Sequence, residues 1–307
     1  MSLLPSEVVE TLRANYDLEL AGSKSLTGGW DVHVDSWLVQ SDLGALVVRR
    51  DRSLTVASAD WLAEVLQTAK RGGVPVAAPL RTRDGGAGAA LADHAVTVRH
   101  FAEGRRLDRD RLHELAAAGA VLARLHAALR GFKRARPDRS LWDPALWPGH
   151  DDPEPLRDPE LDCHEAALAR DSRFAQTVTH GDYWADNVIW SGGRIASVID
   201  WSESRHDKAV RELARATWEF ARRPERDGLD TDRARSFLAA YRDAAGGFEP
   251  GTAEALVPLM RHELRLNARY AYWQAAREDD QREREYADGL ARAFARLRAL
   301  DAAPLLR

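Results

Sequence analysis

From about residue 105 onward this chain reads as one helix after another, and a single short β-hairpin breaks the run. Val188-Ile189-Trp190 leads into a turn at Ser191-Gly192-Gly193, and Arg194-Ile195-Ala196-Ser197-Val198-Ile199 leads out of it. A hairpin returns the chain to the end of the ribbon it left, so the polar residues that flank its two strands must meet. On the entry side these are His180, Gly181, Asp182 and Asn187, and on the exit side Asp200, followed by Trp201.

That set has a definite chemistry. One carboxylate with one amide carbonyl, Asp200 with Asn187, suits Mg²⁺, which keeps some of its waters and completes its shell from substrate phosphates. Asp182 is then a carboxylate the cation does not need, able to receive a proton from an attacking hydroxyl. Positioning and charge neutralisation of this kind are the equipment of phosphoryl transfer. His-Gly-Asp alone is more often a turn closed by a capping aspartate, so the reading rests on Asn187 and Asp200 joining it. A hydrolytic metal centre on His180, Asp182 and Asp186 is the competing reading, with no second histidine close by in sequence.

Before the helices the pattern differs. Trp37–Val39 and Ala45–Val48 are β-rich runs joined by a turn at Ser41-Asp42-Leu43-Gly44, and Val96–Val98 is a third. A helical stretch from Ser58 to Arg71 ends at Gly72-Gly73 and Pro75. From Asp108 to Arg130, Leu112, Leu115, Ala116, Gly119, Leu122, Leu125 and Leu129 keep a helical period, and further helices are expected over 210–223, 231–244 and 253–300. The expectation is an α+β protein with a small β-rich lobe over 1–98, a connection at 99–104 and a mainly helical lobe over 105–307. The cleft between the lobes is the default ligand site.

At the hairpin the sequence resembles the aminoglycoside phosphotransferase and choline kinase-like family, relatives of the protein kinases. The residues that carry the resemblance are His180-Gly181-Asp182, Asn187, Ile199-Asp200-Trp201 and Glu212-Leu213-Ala214, where the family has Asp-Leu-Ala. It implies a two-lobed protein-kinase-like fold and transfer of the γ-phosphoryl of ATP or GTP, with Mg²⁺, to a hydroxyl of a small molecule. Asp182 would be the catalytic aspartate, His180 a brace for its loop, Asn187 and Asp200 the metal ligands, and Glu212 a support for the loop. In the first lobe Gly28 and Gly29 would form the phosphate-covering turn and Arg49 would steady the non-transferred phosphates. Glu64 would pair with Arg49, while the carbonyl of His100 and the amide of Ala102 would meet the base edge. A catalytically silent nucleotide-binding protein is the alternative of another class. No Ala-Pro-Glu activation segment follows Asp200, which argues against a protein kinase.

Composition closes other routes. The net charge of -4 argues against a nucleic-acid partner, and no run of ~18 apolar residues suggests a membrane span. Glu7, Glu10 and Arg13 interrupt any signal-peptide core, and the one cysteine, Cys163, forms no internal disulfide, so a cytoplasmic monomer or homodimer is expected. Ten tryptophans are present; Trp184, Trp190, Trp201 and Trp218 lie near the site, and most are expected in the core. Residues 143–165 hold Asp143, Asp151, Asp152, Glu154, Asp158, Glu160, Asp162 and Glu165 against Arg157. Such a block is usually a solvated loop. As an acidic wall beside the acceptor it would favour a cationic substrate, which makes an aminoglycoside or another amine-bearing alcohol the leading acceptor; homoserine, choline-like molecules and sugars are the others.

Overall fold

The computed structural model describes residues 4–26, 34–138 and 152–306. Its first sheet is antiparallel, in the order β1 (Leu20–Ser25), β2 (Val34–Ser41), β3 (Gly44–Asp51), β5 (His94–His100), β4 (Ala89–Leu91). Alternation along β3 and β5 sends Leu46, Val48, Val96 and Val98 to one face, where they meet Val8 and Leu12 of α1 (Ser6–Asn15) and Tyr16, the residue that follows it. The spacing of four between Val8 and Leu12 makes α1 amphipathic, and its apolar stripe covers that face. Arg49 and Asp51 fall on the opposite face.

α2 (Val56–Arg71) follows β3. It starts two residues before the expected Ser58, because Thr55 caps it by accepting from the Ser58 amide at 3.2 Å. Trp61, Val65, Leu66 and Ala69 of α2 join the core of the second lobe, packing with Leu122, Leu125 and Leu129 of α3 (Leu112–Leu129). One helix of the small lobe is thus part of the large lobe's core.

The second lobe continues with α4 (Pro159–Arg170), β7 (Gln176–Thr179), β8 (Val188–Ser191), β9 (Arg194–Val198) and β10 (Arg205–Lys208). α5 (Ala209–Ala221), α6 (Thr231–Ala245), α7 (Thr252–Glu278), α8 (Gln281–Leu297) and α9 (Ala303–Leu306) complete it. β8 and β9 are the hairpin expected from sequence, and β6 (Arg105–Arg106) adds a third strand beside β8. β7 and β10 form a second ribbon. The single helical stretch expected over 253–300 is two helices. Asp279 adopts a left-handed φ of 51°, and the Asp280 carboxylate caps α8 by accepting from the Arg282 amide at 2.8 Å. This is the two-lobed protein-kinase-like fold. No helix among the described residues is long and apolar enough to cross a membrane.

The acidic block is tied down by arginines spaced four apart on α7. Arg261 holds Asp158, Arg265 holds Asp162 at 2.6 Å, and Arg269 holds Asp152. Asp143 and Asp151 lie outside the described residues. The Arg261–Asp158 pair is buried on both sides, so removing one partner strands the other charge. Chemical denaturation of Arg261→Met should show a loss of about 3–5 kcal/mol. Adding Asp158→Asn should recover most of it; a double variant no more stable than the single one would mean that the pair does not anchor this segment.

Candidate active site

β7 delivers the chain to His180 at the floor of the cleft, and both ring nitrogens of that residue bind the main chain. Nε2 donates to the Ile199 carbonyl at 2.9 Å and Nδ1 accepts from the Asp182 amide at 3.2 Å. Buried completely and packed on Trp201 at 4.7 Å, it braces the loop and has no nitrogen left for proton transfer.

Gly181 is clamped from both sides by α5. Its N–H donates to Glu212 Oε1 at 2.6 Å, and its carbonyl accepts from Arg215 at 2.6 Å. With φ at +86°, and the Glu203 carbonyl 2.2 Å from where a Cβ would sit, only glycine fits. The other oxygen of Glu212 takes His126 Nε2 at 2.9 Å, and His126 Nδ1 meets the Tyr241 hydroxyl at 2.8 Å. The resulting chain links α6, α3 and α5 to the loop, all of it inside the core. Burial pushes the Glu212 pKa up, but the bond and charge of His126 and the Gly181 amide outweigh it and hold the group ionised. Glu212 thus supports the loop, the role expected of it.

Asp182 is gripped on both carboxylate oxygens. Arg215 donates to Oδ1 at 2.7 Å, while Asn187 Nδ2 and Trp184 Nε1 donate to Oδ2 at 2.9 and 3.2 Å. Burial raises its pKa and Arg215 only partly offsets that, which makes it a stronger base than an exposed aspartate. Because the nitrogen of Asn187 is committed to Asp182, its amide oxygen is the atom with ligand chemistry. Asp200, at a left-handed φ of 60°, accepts from Arg49 at 2.8 Å and from Ser202 at 2.9 Å. Burial works against its charge, yet Arg49, Arg99 and the Ser202 bond hold the pKa down at about 2. One ionised carboxylate and one amide oxygen fit a cation that takes its remaining ligands from water and phosphate. Among the described residues no group of three or more His, Cys, Asp or Glu could hold a metal by itself, so the hydrolytic centre on His180, Asp182 and Asp186 lacks its cluster.

Arg49 spans the cleft from β3 and also donates to Asp51 and Ser202, each at 3.3 Å. The expected Arg49–Glu64 pair is not formed. Glu64 binds Arg134 instead, and the buried carboxylate holding Arg49 within its own lobe is Asp51, two residues along the same strand. Arg50 points to the other face, toward Asp35 and Glu7. Gly28 and Gly29 lie outside the described residues. At the end of β5 the Phe101 amide donates to the Ala45 carbonyl, which turns the N–H and C=O of His100 away from β3; Ala102 follows beyond the strand.

Beside Asp182 opens a cavity of about 450 Å³, lined also by Glu165, Glu203 and residues of β10, α5 and α7. Three lining residues that sequence reasoning missed matter most. Arg215 grips Asp182, one turn after Glu212 on α5. Glu263 of α7 is 5% exposed and forms no hydrogen bond or ion pair with any described residue, while burial raises its pKa against the pull of Arg215 and Arg211. His262 has a buried Nδ1 without a partner and a pKa of about 3, set by burial and by Arg211, Arg265 and Arg269. Of the described acidic-block residues only Glu165 reaches the cavity, and Arg211 binds it at 3.1 Å. The signal in the sequence was faint: a glutamate inside an arginine-rich helix has the appearance of a solvated face.

Similarity to known proteins agrees with this geometry. Homoserine kinase of Parvibaculum lavamentivorans is 27% identical over 271 residues, covering 84% of this chain and 82% of that protein. Homoserine kinase of Pseudomonas aeruginosa is 28% identical over 252 residues, covering 78% and 77%. Among solved structures, an amicoumacin kinase in complex with AMP-PNP, Ca²⁺ and Ami superposes with a TM-score of 0.72 at 14% identity, covering 97% of this chain and 94% of that one. A choline/ethanolamine kinase family protein from Mesorhizobium loti gives 0.65 at 18% identity, covering 93% and 92%. Residues 24–256 match the phosphotransferase enzyme family, and with Asp182, Asn187 and Asp200 brought to one end of the hairpin, the chain belongs to that family.

Proposed function

We propose that this phosphotransferase moves the γ-phosphoryl group of ATP to the hydroxyl of a small amine-bearing acceptor, of the hydroxy-amino-acid class to which homoserine belongs. Asp182 accepts the proton of the attacking hydroxyl, and the grip of Arg215, Asn187 and Trp184 fixes its direction. Arg49 balances charge on the phosphates that are not transferred, and the His100 carbonyl and Ala102 amide meet the adenine edge. Asn187 and Asp200 are the residues that would hold Mg²⁺, whose chemistry in such a site is to neutralise the phosphoryl oxygens.

The observation that carries the acceptor class is Glu263. Its carboxylate faces the cavity from a side chain that is otherwise buried and has no hydrogen bond or ion pair among the described residues, and an ammonium group in the cavity would give it one. Neutral His262 adds an unbonded nitrogen and no competing charge. The lining also holds Arg205, whose nearest carboxylate, Asp207, is 3.6 Å away, a cation suited to the carboxylate of an amino acid. Homoserine kinases among the relatives support this reading. The cavity volume also leaves room for an aminoglycoside, which is the second reading.

A coupled ADP-release assay over L-homoserine, choline, ethanolamine, aminoglycosides and neutral sugars separates these. Turnover should be highest with L-homoserine, and activity confined to neutral sugars would refute the acceptor class. Asp182→Asn should lower kcat by about 10²–10⁴-fold and leave the ATP dissociation constant near that of the wild type. Glu263→Gln should raise the acceptor KM by about ten- to a hundredfold, the loss of one charge-assisted contact, with the ATP KM unchanged. An unaltered acceptor KM would remove Glu263 from the site.

A further inference from the structure

We propose that Arg99 is a second cation of the nucleotide's phosphate site, acting beside Arg49; this rests on the kinase reading above. β3 and β5 pair so that Val47 stands opposite Arg99 and Arg49 opposite Thr97. Opposed residues share a face and neighbours along a strand alternate, so Arg49, Asp51, Thr97 and Arg99 all project from one side of the sheet. It is the side from which Arg49 reaches Asp200, whereas Val96 and Val98 project from the other into the core. Arg49 and Arg99 are diagonal neighbours there, a separation that long side chains span.

Arg49 has its partners in Asp200, Asp51 and Ser202. Arg99 is half-buried and forms no hydrogen bond or ion pair with any described residue. Its charged surroundings are Arg49, Asp200 and Asp51. Burial, then the like charge of Arg49, lowers its pKa to about 10, and it stays protonated at neutral pH. Five N–H donors in a partly dry cleft are a demand for an acceptor with several oxygens. Were Asp200 to serve a divalent cation, it would screen the two guanidinium groups less, leaving Asp51 as the other carboxylate that acts on Arg99. A polyphosphate lying between the arginines satisfies both, and Arg99 stands one residue before His100, where the base end of the same ligand would be held.

Calorimetric titration of adenosine, ADP and ATP into the wild type, Arg99→Met, Arg99→Lys and Arg49→Met tests this. Arg99→Met should weaken ADP and ATP by about ten- to a hundredfold and leave adenosine unchanged. Arg99→Lys should recover part of the loss, because a point charge replaces a fork. In thermal unfolding without nucleotide, Arg99→Met should be no less stable than the wild type, since it removes an unpaired, half-buried charge. A purely structural Arg99 would instead lower the melting temperature and weaken adenosine and ADP together, and that result overturns the proposal. So does unchanged ADP affinity in Arg99→Met while Arg49→Met still weakens ADP, which leaves the kinase reading standing. A wild-type protein that binds no ADP sinks both.

Discussion

Glu212 holds the rest of the site in place. A carboxylate in the core is expensive unless each of its oxygens finds a donor, and Glu212 meets that condition by taking the Gly181 amide on one oxygen and His126 on the other. The bond to His126 draws in α3, the Tyr241 hydroxyl extends the chain to α6, and Arg215, one turn along α5, closes on the Gly181 carbonyl and the Asp182 carboxylate. The position of Asp182 is thereby set by helices packed against one another rather than by the loop it sits on. The resembling family has aspartate at this position, and the longer glutamate here reaches the loop and His126 at once.

Around that fixed point the two halves of the cleft carry opposite charge demands. On the sheet side Arg49 and Arg99 converge on a region where a polyphosphate would lie, and on the helical side Glu263 faces a cavity where an amine would lie. Asp182 stands between them, its own charge partly answered by Arg215. Arg49 bridges the lobes through Asp200, so the residue expected to steady phosphates also holds the cleft together. Binding a divalent cation at Asp200 would exchange one partner for another, which ties the arrangement of the sheet side to the state of the hairpin side.

The candidate site was legible in the sequence because hairpin closure is a local constraint: once Val188–Ile199 is read as a ribbon, Asn187 and Asp200 have to meet, and the structure brings them together. The helix spacing of α3 and the β-rich runs of the first sheet were legible for the same reason, as period and turn residues are written in adjacent positions. Glu64 was misplaced because its partner depends on how α2 lies across two lobes, and Arg134 is 70 residues away. The acidic block was read for its charge and not for its neutralisation, since the arginines that answer it are carried by α7, more than a hundred residues later. Glu263 and Arg99 are not legible in the sequence because what distinguishes them is a missing partner among the described residues, a property that exists only once the chain has folded.

All but four of the 44 basic residues are arginine, a bias that by itself says little about chemistry. At several positions the fork is nonetheless used as a fork, Arg105 on Glu114 and Arg211 on Glu165 among them, and two such positions lie in the site. Arg215 gives one nitrogen to the Gly181 carbonyl and the other to Asp182, fixing the loop and its carboxylate relative to each other. Arg49 gives Nη1 to Asp200 and Nη2 to Asp51 and Ser202, joining the two lobes through a single planar group. A lysine ammonium could hold one of these acceptors with comparable charge, but it has no fixed angle between its donors and would leave the second acceptor's orientation free. Where an exposed arginine meets one carboxylate through one nitrogen, lysine would serve nearly as well. The difference lies in burial and in the number of acceptors, and by that standard the geometry of Asp182 depends on Arg215 more than on any other cation described.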